Sequence, residues 1–390
     1  MFKFLTYTYR IYPDKIQTEK IENNFVCSRF IFNKLLEYKI TVYKEYKKYK
    51  KKCEKNNIVV DREKFNKKYE IPSVSEIKKI YPFLKTADSL ALCAEWNNIN
   101  KSFLNYFDHR CKFPRFKCNT DKASYVTSLV NKNIRINADK IRLPKIGMVK
   151  ITFHRNFPLN AVIKRCIVRS DKIGKYYVSI VLCIEINEIV PAKIYKVMGL
   201  DFKVGDVFVD SDGNMPQYTK PYRKANAKLK YLEKKLGRKR KFSKNWYRSL
   251  RKIQKLHKAI AFKRKDFLHK LSKTLSKMCD AVVIETLSLS DIAFELVKGG
   301  NTYDTSYYRF TRMLKYKLQE IGKKLINVDK WFPSSKMCSK CGHVKTKLAL
   351  SERVYNCEKC GLVIDRDTNA AINIREEGKK ILNTYKYTTV

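Results

Sequence analysis

Two sets of residues in this chain have the types and spacing to do chemistry. The first is four cysteines. Cys338 and Cys341 form one Cys-x-x-Cys knuckle, Cys357 and Cys360 form a second, and 15 residues separate them. Four thiolates presented as two tight pairs are the soft tetrahedral ligand set of a structural Zn²⁺. Gly342 and Gly361 follow the second cysteine of each knuckle, where a chain turning round a metal benefits from freedom at positive φ. The repeated spacing sets aside the alternative of four unrelated thiols, and the segment reads as a zinc ribbon. The second set is acidic. Asp201 ends the apolar run Val197-Met-Gly-Leu, and Glu285 ends Ala281-Val-Val-Ile. Asp365 and Asp367 open a helical stretch whose packed face is Ala370, Ala371, Ile372 and Ile374. Each acid alone is ordinary, since strand tips reach solvent and helix N-termini favour negative charge. Three converging carboxylates are different, because they repel one another unless divalent cations lie between them. Hard oxygen ligands with open positions suit Mg²⁺ or Mn²⁺. Two such ions activate water and stabilise the leaving oxygen in phosphodiester hydrolysis, so the acids favour a nuclease.

These residues need a scaffold to bring them together. Val207-Phe-Val-Asp210-Ser-Asp-Gly213 reads as the hairpin partner of the Asp201 strand. The resulting order, strand-hairpin-helix-strand-helix-strand-helix, is ribonuclease-H-like. Between the first two acids, Tyr222–Met278 is a long basic helical hairpin with Leu229, Leu232 and Leu236 on one face and Leu250, Ile253 and Ile260 on another. Its break carries Arg238, Lys239, Arg240 and Lys241, a nucleic-acid clamp beside a nuclease site, with a nuclear address or a plain exposed loop as the alternatives.

The first half reads differently. Residues 1–10 alternate as a half-buried strand. A helix starts at Pro13-Asp14 with Ile21, Phe25, Phe32 and Leu35 on one face, and residues 43–70 read as solvated helix and loop. Ser73 and Glu76 have capping-box spacing, and a second helix runs from about Thr86 to Phe107. In Lys112-Phe-Pro-Arg115-Phe-Lys117 cations alternate with aromatics, which can hold phosphates and stack on bases. A proline-bearing edge strand is the competing reading. Five short strands follow, Tyr125–Val130, Ile134–Leu143, Val149–Phe153, Ala161–Val168 and Lys175–Ile186. They suggest a small barrel or sandwich, completed by strand 1–10, with the helical module as an insertion. The second half starts near Ala192.

Composition bounds the partners. The chain has 390 residues, of which 44% are hydrophobic, enough for two or three domains with real cores. Lys and Arg number 84 against 37 Asp and Glu, a formal net charge of +47. A charge of that size calls for a polyanion, and nucleic acid is the usual one because each neutralised phosphate releases counterions. No 18-residue apolar run or secretory signal is present, so no membrane partner is expected. The eight cysteines outside the knuckles have no framework spacing, which points to a reducing compartment.

The chain resembles the TnpB family, RNA-guided nucleases of bacterial insertion sequences related to the type V CRISPR effectors. The resemblance covers nearly the whole length. It is carried by Tyr9–Pro13, Arg29–Lys34, Lys112–Lys117, Arg264–Lys270, Trp331–Lys336, the zinc ribbon and Asp365–Ile374. It implies an α/β multidomain chain. A wedge or OB-like N-terminal β-barrel (1–10 and 121–191) would hold an inserted helical recognition module (11–120). A RuvC nuclease domain of ribonuclease-H-like fold (192–333 and 364–390) would be interrupted by the zinc ribbon (334–363). Asp201, Glu285 and Asp367 take the catalytic, magnesium-binding positions, the last because Asp-x-Asn-x-Ala matches Asp367-Thr-Asn369-Ala-Ala371. Also implied are a guide RNA from the element's own transcript, a double-stranded DNA target and a monomeric ribonucleoprotein. The place is the cytoplasm or nucleoid of a bacterium, or the nucleus or viral factory for a relative of the eukaryotic and viral Fanzor group. Two positions depart from the family: Lys203 stands where Gly is common, with Gly205 displaced, and Thr286 follows Glu285 where Asp is frequent. The competing functions are a nuclease-inactive RNA-guided repressor, whose expected loss of an acid is not seen, and a transposase acting in strand transfer. The five histidines contain no His-x-His pair of the single-strand tyrosine transposases.

Overall fold

Strict alternation over the first residues forms β1 (Phe2–Tyr12), in a computed structural model of the chain. The structure describes residues 1–119, 121, 123–203, 206–287, 307–349 and 351–387, with side chains to 384 at the C-terminal end. The chain divides into two compact units, Met1–Asn187 and Glu188–Val390.

In the first unit β1 joins β2 (Ser124–Ser128), β3 (Arg135–Asn137), β4 (Lys140–Leu143), β5 (Gly147–Thr152), β6 (Val162–Ser170) and β7 (Tyr176–Glu185). The antiparallel sheet runs β2-β6-β7-β1-β5-β4-β3. β1 is its centre, paired with β7 from Phe2↔Glu185 to Ile11↔Tyr176 and with β5 at Arg10↔Thr152. The expected small barrel is seen as a half-barrel sheet, with β2 and β3 at its edges among the described residues. One cause is local. Ile134–Leu143, read from sequence as one strand, is a hairpin that turns at Ala138 with φ 47°. That leaves β3 only three residues long, about 10 Å at strand rise, too short to form a closing seam.

The helices α1 (Lys15–Lys55), α2 (Arg62–Lys68), α3 (Val74–Ile80) and α4 (Ser89–Phe107) lie between β1 and β2 in sequence. Asp14 with Gln17 and Ser73 with Glu76 close complete capping boxes on α1 and α3, each cap contributing about 1 kcal/mol. The solvated stretch after residue 43 is helical to Lys55, and α2 returns to it by setting Phe65 against Tyr46, Tyr49 and Tyr69. Tyr9, Ile11, Val149, Val178 and Ile180 of the sheet bury against Ile21 and Phe25 of α1. Ile31, Leu35, Leu92, Ile99 and Phe103 form the helical module's own core.

The second unit is built on β8 (Val197–Phe202), β9 (Phe208–Asp210), β10 (Ala281–Glu285) and β11 (Lys324–Val328), in the order β11-β10-β8-β9. β10 is parallel to both neighbours and β8–β9 is the antiparallel hairpin. The basic hairpin α5 (Pro221–Gly237) and α6 (Lys244–Met278) precedes β10. The helix α7 (Tyr307–Gln319) precedes β11, and α8 (Arg366–Tyr387) ends the unit. Strand periodicity assigns the faces. Met198, Leu200, Val282 and Ile284 pack with Leu268 and Leu275 of α6 and Phe310 and Leu314 of α7. Ala281 and Val283 pack on the opposite face with Ile374 and Leu382 of α8. There α8 lies with its backbone almost against the sheet. A Cβ built at Gly199 would fall inside the backbone of Ala371 and Arg375, and one at Gly378 would overlap Val283. Among the described residues no helix is long and apolar enough to cross a membrane.

Gly199→Ala is expected to force α8 off the sheet, because the obstacle is backbone that no rotamer change removes. Overpacking of this kind costs about 1–3 kcal/mol and is read as a lowered midpoint of thermal unfolding. An unchanged midpoint would mean that α8 retreats without loss.

Candidate functional site

Strand alternation that buries Gly199, Ala281 and Val283 beneath α8 also directs Asp201 and Glu285 to that face, at the ends of β8 and β10. From the helix side, Asp367 continues the stripe of Ala370, Ala371 and Ile374, and it is only 6% exposed. The other two acids lie close enough to perturb Asp201. Burial, then Glu285, then Asp367 push the Asp201 carboxyl well above its ordinary range, against the pull of Arg366 and Lys203. Glu285 is also raised by burial, offset in part by a hydrogen bond from the Ser334 hydroxyl. Asp365 is used differently. It is exposed and caps α8, accepting from the Thr368 backbone N–H at 2.9 Å and the Thr368 hydroxyl at 3.0 Å.

Two cations gather on Asp367. Lys203 Nζ is 2.9 Å from its Oδ2 and Arg366 Nε is 3.6 Å from its Oδ1. Gly205, noted in the sequence beside Lys203, lies outside the described residues. Thr286, the other departure, donates its hydroxyl to Val328 O at 2.7 Å and closes the end of β10–β11. With all groups ionised, three carboxylates against two cations leave negative charge in excess. Tyr307 is buried, its hydroxyl has no hydrogen-bond partner among the described residues, and its acidity is suppressed by burial, then by Glu285 and Asp201. Excess charge and an orphaned polar group fit a pocket that takes hard cations.

The cysteines meet as the spacing predicts. Sγ–Sγ distances are 3.6 Å for Cys338–Cys360 and for Cys341–Cys357, and all four sulfurs lie within 4.8 Å of one another. A tetrahedron with metal–sulfur bonds of about 2.3 Å has edges of about 3.8 Å, whereas a disulfide needs about 2.05 Å. The group can hold a metal ion, and among the described residues it is the one set drawn in so tightly. Matching turns build it. Cys338 N–H donates to His343 O and Gly342 N–H to Cys338 O; Cys357 N–H donates to Leu362 O and Gly361 N–H to Cys357 O. Gly342 and Gly361 have φ of 74° and 69°. Burial opposes ionisation of Cys357, but the backbone amides of Cys360 and Lys359 overcome it and hold the thiol at about 6, which favours the metal-binding thiolate. The short pair β12 (Val354–Asn356) and β13 (Val363–Asp365) carries the second knuckle, and β13 runs directly into α8.

The cations chosen as nucleic-acid contacts divide by their partners. Lys117 lies 2.8 Å from the buried Glu95 and over the Phe32 ring. Stranding a buried carboxylate costs about 3–5 kcal/mol, so Lys117 is committed to the fold. Arg115 pairs with Asp121 on the surface, where such bonds contribute little and a phosphate can compete. Lys112 is exposed. In the turn between α5 and α6, Lys239 donates to Ser249 Oγ at 2.6 Å, while Arg238 and Arg240 are exposed. Sequence reasoning assigned no role to Ser334, Asn369, Asn373 or Tyr307. The polar pair Asn369 and Asn373, four apart in a run otherwise made of Ala and Ile, is the signal that was available.

Comparisons with known proteins add family. A family model described as "Probable transposase" matches residues 181–294. Another, "Cas12f1-like, TNB domain", matches residues 307–374. A third, "Helix-turn-helix domain", matches residues 1–48, which here form β1 and most of α1. The Streptomyces pristinaespiralis protein named "Putative RNA-guided DNA endonuclease" is 33% identical over 304 residues, covering 76% of this chain and 73% of its own length. The protein of the same name with the suffix InsQ in Escherichia coli (strain K12) is 30% identical over 317 residues, 77% of each chain. A chain of the "Cryo-EM structure of the Cas12f1-sgRNA-target DNA complex" superposes with a TM-score of 0.50 at 13% identity, covering 96% of this chain and 98% of its own, a likeness of fold.

A carboxyl raised on folding stabilises the fold only while it is protonated, and that contribution is lost as pH rises through the raised value. Asp201→Asn is therefore expected to raise the unfolding midpoint at pH 8 in magnesium-free buffer, with the gain fading as pH falls toward the ordinary carboxylate range. Thermal melts of both proteins across that range check it. A pH-independent difference would place its origin outside the charge.

Proposed function

The chain belongs to the TnpB family of insertion-sequence RNA-guided nucleases, and from that membership we propose that it is an RNA-guided DNA endonuclease whose cutting site is Asp201, Glu285 and Asp367. The single observation that carries the site is the convergence of these acids from two parallel strands and one helix, with Asp201 strained by the other two. The order β11-β10-β8-β9 with helices on both faces supports reading 192–333 and 364–390 as a RuvC-like domain. On this reading 334–363 is a zinc ribbon inserted in it, and the N-terminal sheet (1–10 and 121–191) is a wedge that carries a helical recognition module at 11–120.

Mg²⁺ or Mn²⁺ ions are the cofactors that Asp201, Glu285 and Asp367 would hold, and when bound they supply Lewis-acid activation of water and charge relief at the leaving oxygen. The chain's own residues supply the rest. Ser334 fixes Glu285, Lys203 presents a cation beside Asp367 that a phosphate can share, and α8 excludes water from the floor beneath the acids. Zn²⁺ in the four-cysteine site is structural, with all four ligands from protein and no open position. The net charge of +47 suits a guide RNA from the element's own transcript together with a double-stranded DNA target, the guide reading sequence by pairing. Exposed Lys112, Arg115, Arg238 and Arg240 are the candidate backbone contacts.

Asp201→Ala is expected to reduce Mg²⁺-dependent cleavage of a guide-matched plasmid by on the order of a thousandfold or more, with RNA and target binding retained. The assay uses co-purified RNA and a library randomised beside the target. Target binding without cutting by the wild type would replace the nuclease with an RNA-guided repressor. Strand joining at element ends without bound RNA would indicate a transposase.

A further inference from the structure

A run of buried and part-buried hydrogen bonds leads from the first cysteine knuckle to the acid on β10. Ser339, between Cys338 and Cys341, donates its backbone N–H to Asn369 Oδ1 at 3.0 Å. Asn369 Nδ2 donates to Met337 O at 2.7 Å, and Asn373 Nδ2 donates to the same oxygen at 2.6 Å and to Ser334 O at 2.8 Å. The Ser334 hydroxyl then donates to Glu285 Oε1. Asn369 is fully buried, Asn373 2% exposed and Ser334 4% exposed. Buried groups of this kind tolerate few alternative arrangements, because each donor left without an acceptor is disfavoured. Met337 and Ser339 flank Cys338, so the ion that gathers the four sulfurs fixes both ribbon groups that the asparagines grip. Asn369 is also two residues from Asp367 on α8, so the same grip orients a second acid.

We infer that Ser334 is a positioning residue for Glu285, and that Asn369 and Asn373 make this positioning depend on the ion in the four-cysteine site. The ribbon ion and the carboxylate ions are then bound cooperatively, each raising the affinity for the other as linkage requires. This rests on the reading of Asp201, Glu285 and Asp367 as a divalent-cation site, which the controls test separately. The hydroxyl has one function here, to hold one carboxylate oxygen so that the other faces the site, and a serine carrying it from a separate loop makes that orientation conditional on the loop. Outer partners of metal ligands typically matter by 10–100-fold in metal affinity.

The test measures Mn²⁺ binding by electron paramagnetic resonance to the full chain with the RNA it co-purifies with, alongside zinc content and cleavage kinetics. Asp201→Asn is expected to lose Mn²⁺ binding. If it does not, the carboxylate reading itself falls, whatever Ser334 does. Given that loss, Ser334→Ala is expected to weaken Mn²⁺ binding about 10–100-fold with zinc content intact, to lower kcat rather than raise KM for the target, and to be restored by Ser334→Thr. Cys341→Ser, which removes an exposed knuckle thiolate, is expected to weaken Mn²⁺ binding in the wild type but to add little to Ser334→Ala, since both cut one path. Mn²⁺ affinity unchanged in Ser334→Ala, failure of Thr to restore it, or full additivity of the Cys341 and Ser334 effects would each overturn the inference.

Discussion

Like charge held in one half-buried place is the constraint around which the second unit is arranged. Two unit charges about 5 Å apart repel by roughly 3 kcal/mol at an effective dielectric near 20, and Asp201 feels both other acids. That is a large share of the 5–15 kcal/mol typical of a whole domain. A fold that keeps Asp201, Glu285 and Asp367 together therefore needs elements that cannot drift apart. The parallel strands supply one fixed edge, because Asp201 and Glu285 end neighbouring strands whose pairing runs Ala281↔Val197 to Ile284↔Leu200. The helix supplies the other.

That helix is held by shape more than by attraction. Gly199 and Gly378 let backbone and side chain approach at distances that any Cβ would forbid, so α8 lies in a slot within the apolar face it covers. Ala370, Ala371 and Ile374 then fill what remains. Because β13 runs directly into α8, the ribbon is attached to the same slot, and its asparagine grips tie it laterally as well. Sheet, helix and ribbon thus share one set of contacts, and a disturbance in any of them reaches the acids.

Much of this was legible because the signals were local. Apolar runs ending in Asp201 and Glu285 announced buried strands with acids at their tips, and duplicated Cys-x-x-Cys-Gly announced the four-cysteine cluster. The capping box at Ser73 was readable for the same reason, since cap and partner are three residues apart. What stayed hidden depended on distance in sequence. The commitment of Lys117 comes from Glu95, 22 residues away, so Lys117 looked as available as Arg115. Ser334 gains its role only from Glu285, 49 residues earlier. The split of Ile134–Leu143 into a hairpin turned on Ala138 at positive φ, a conformation that no glycine, proline or asparagine at that position advertised. With β3 so shortened, the expectation of barrel closure had no strand to complete it.

The compensation of charge in the site is uneven, and the unevenness has a direction. Lys203 and Arg366 both lie against Asp367, which also sits in the first turn of α8, where the helix adds partial positive charge. Among the described residues the donor on Glu285 is neutral, the Ser334 hydroxyl, and the Asp201 carboxyl is displaced upward by burial, by Glu285 and by Asp367. Arg366 and Lys203 also pull the Asp201 carboxyl down, but burial, Glu285 and Asp367 outweigh them. Lys203, in the position where the family commonly carries a glycine, is thus one of two cations set against Asp367, and it lets the fold tolerate acids that a glycine there would leave less compensated.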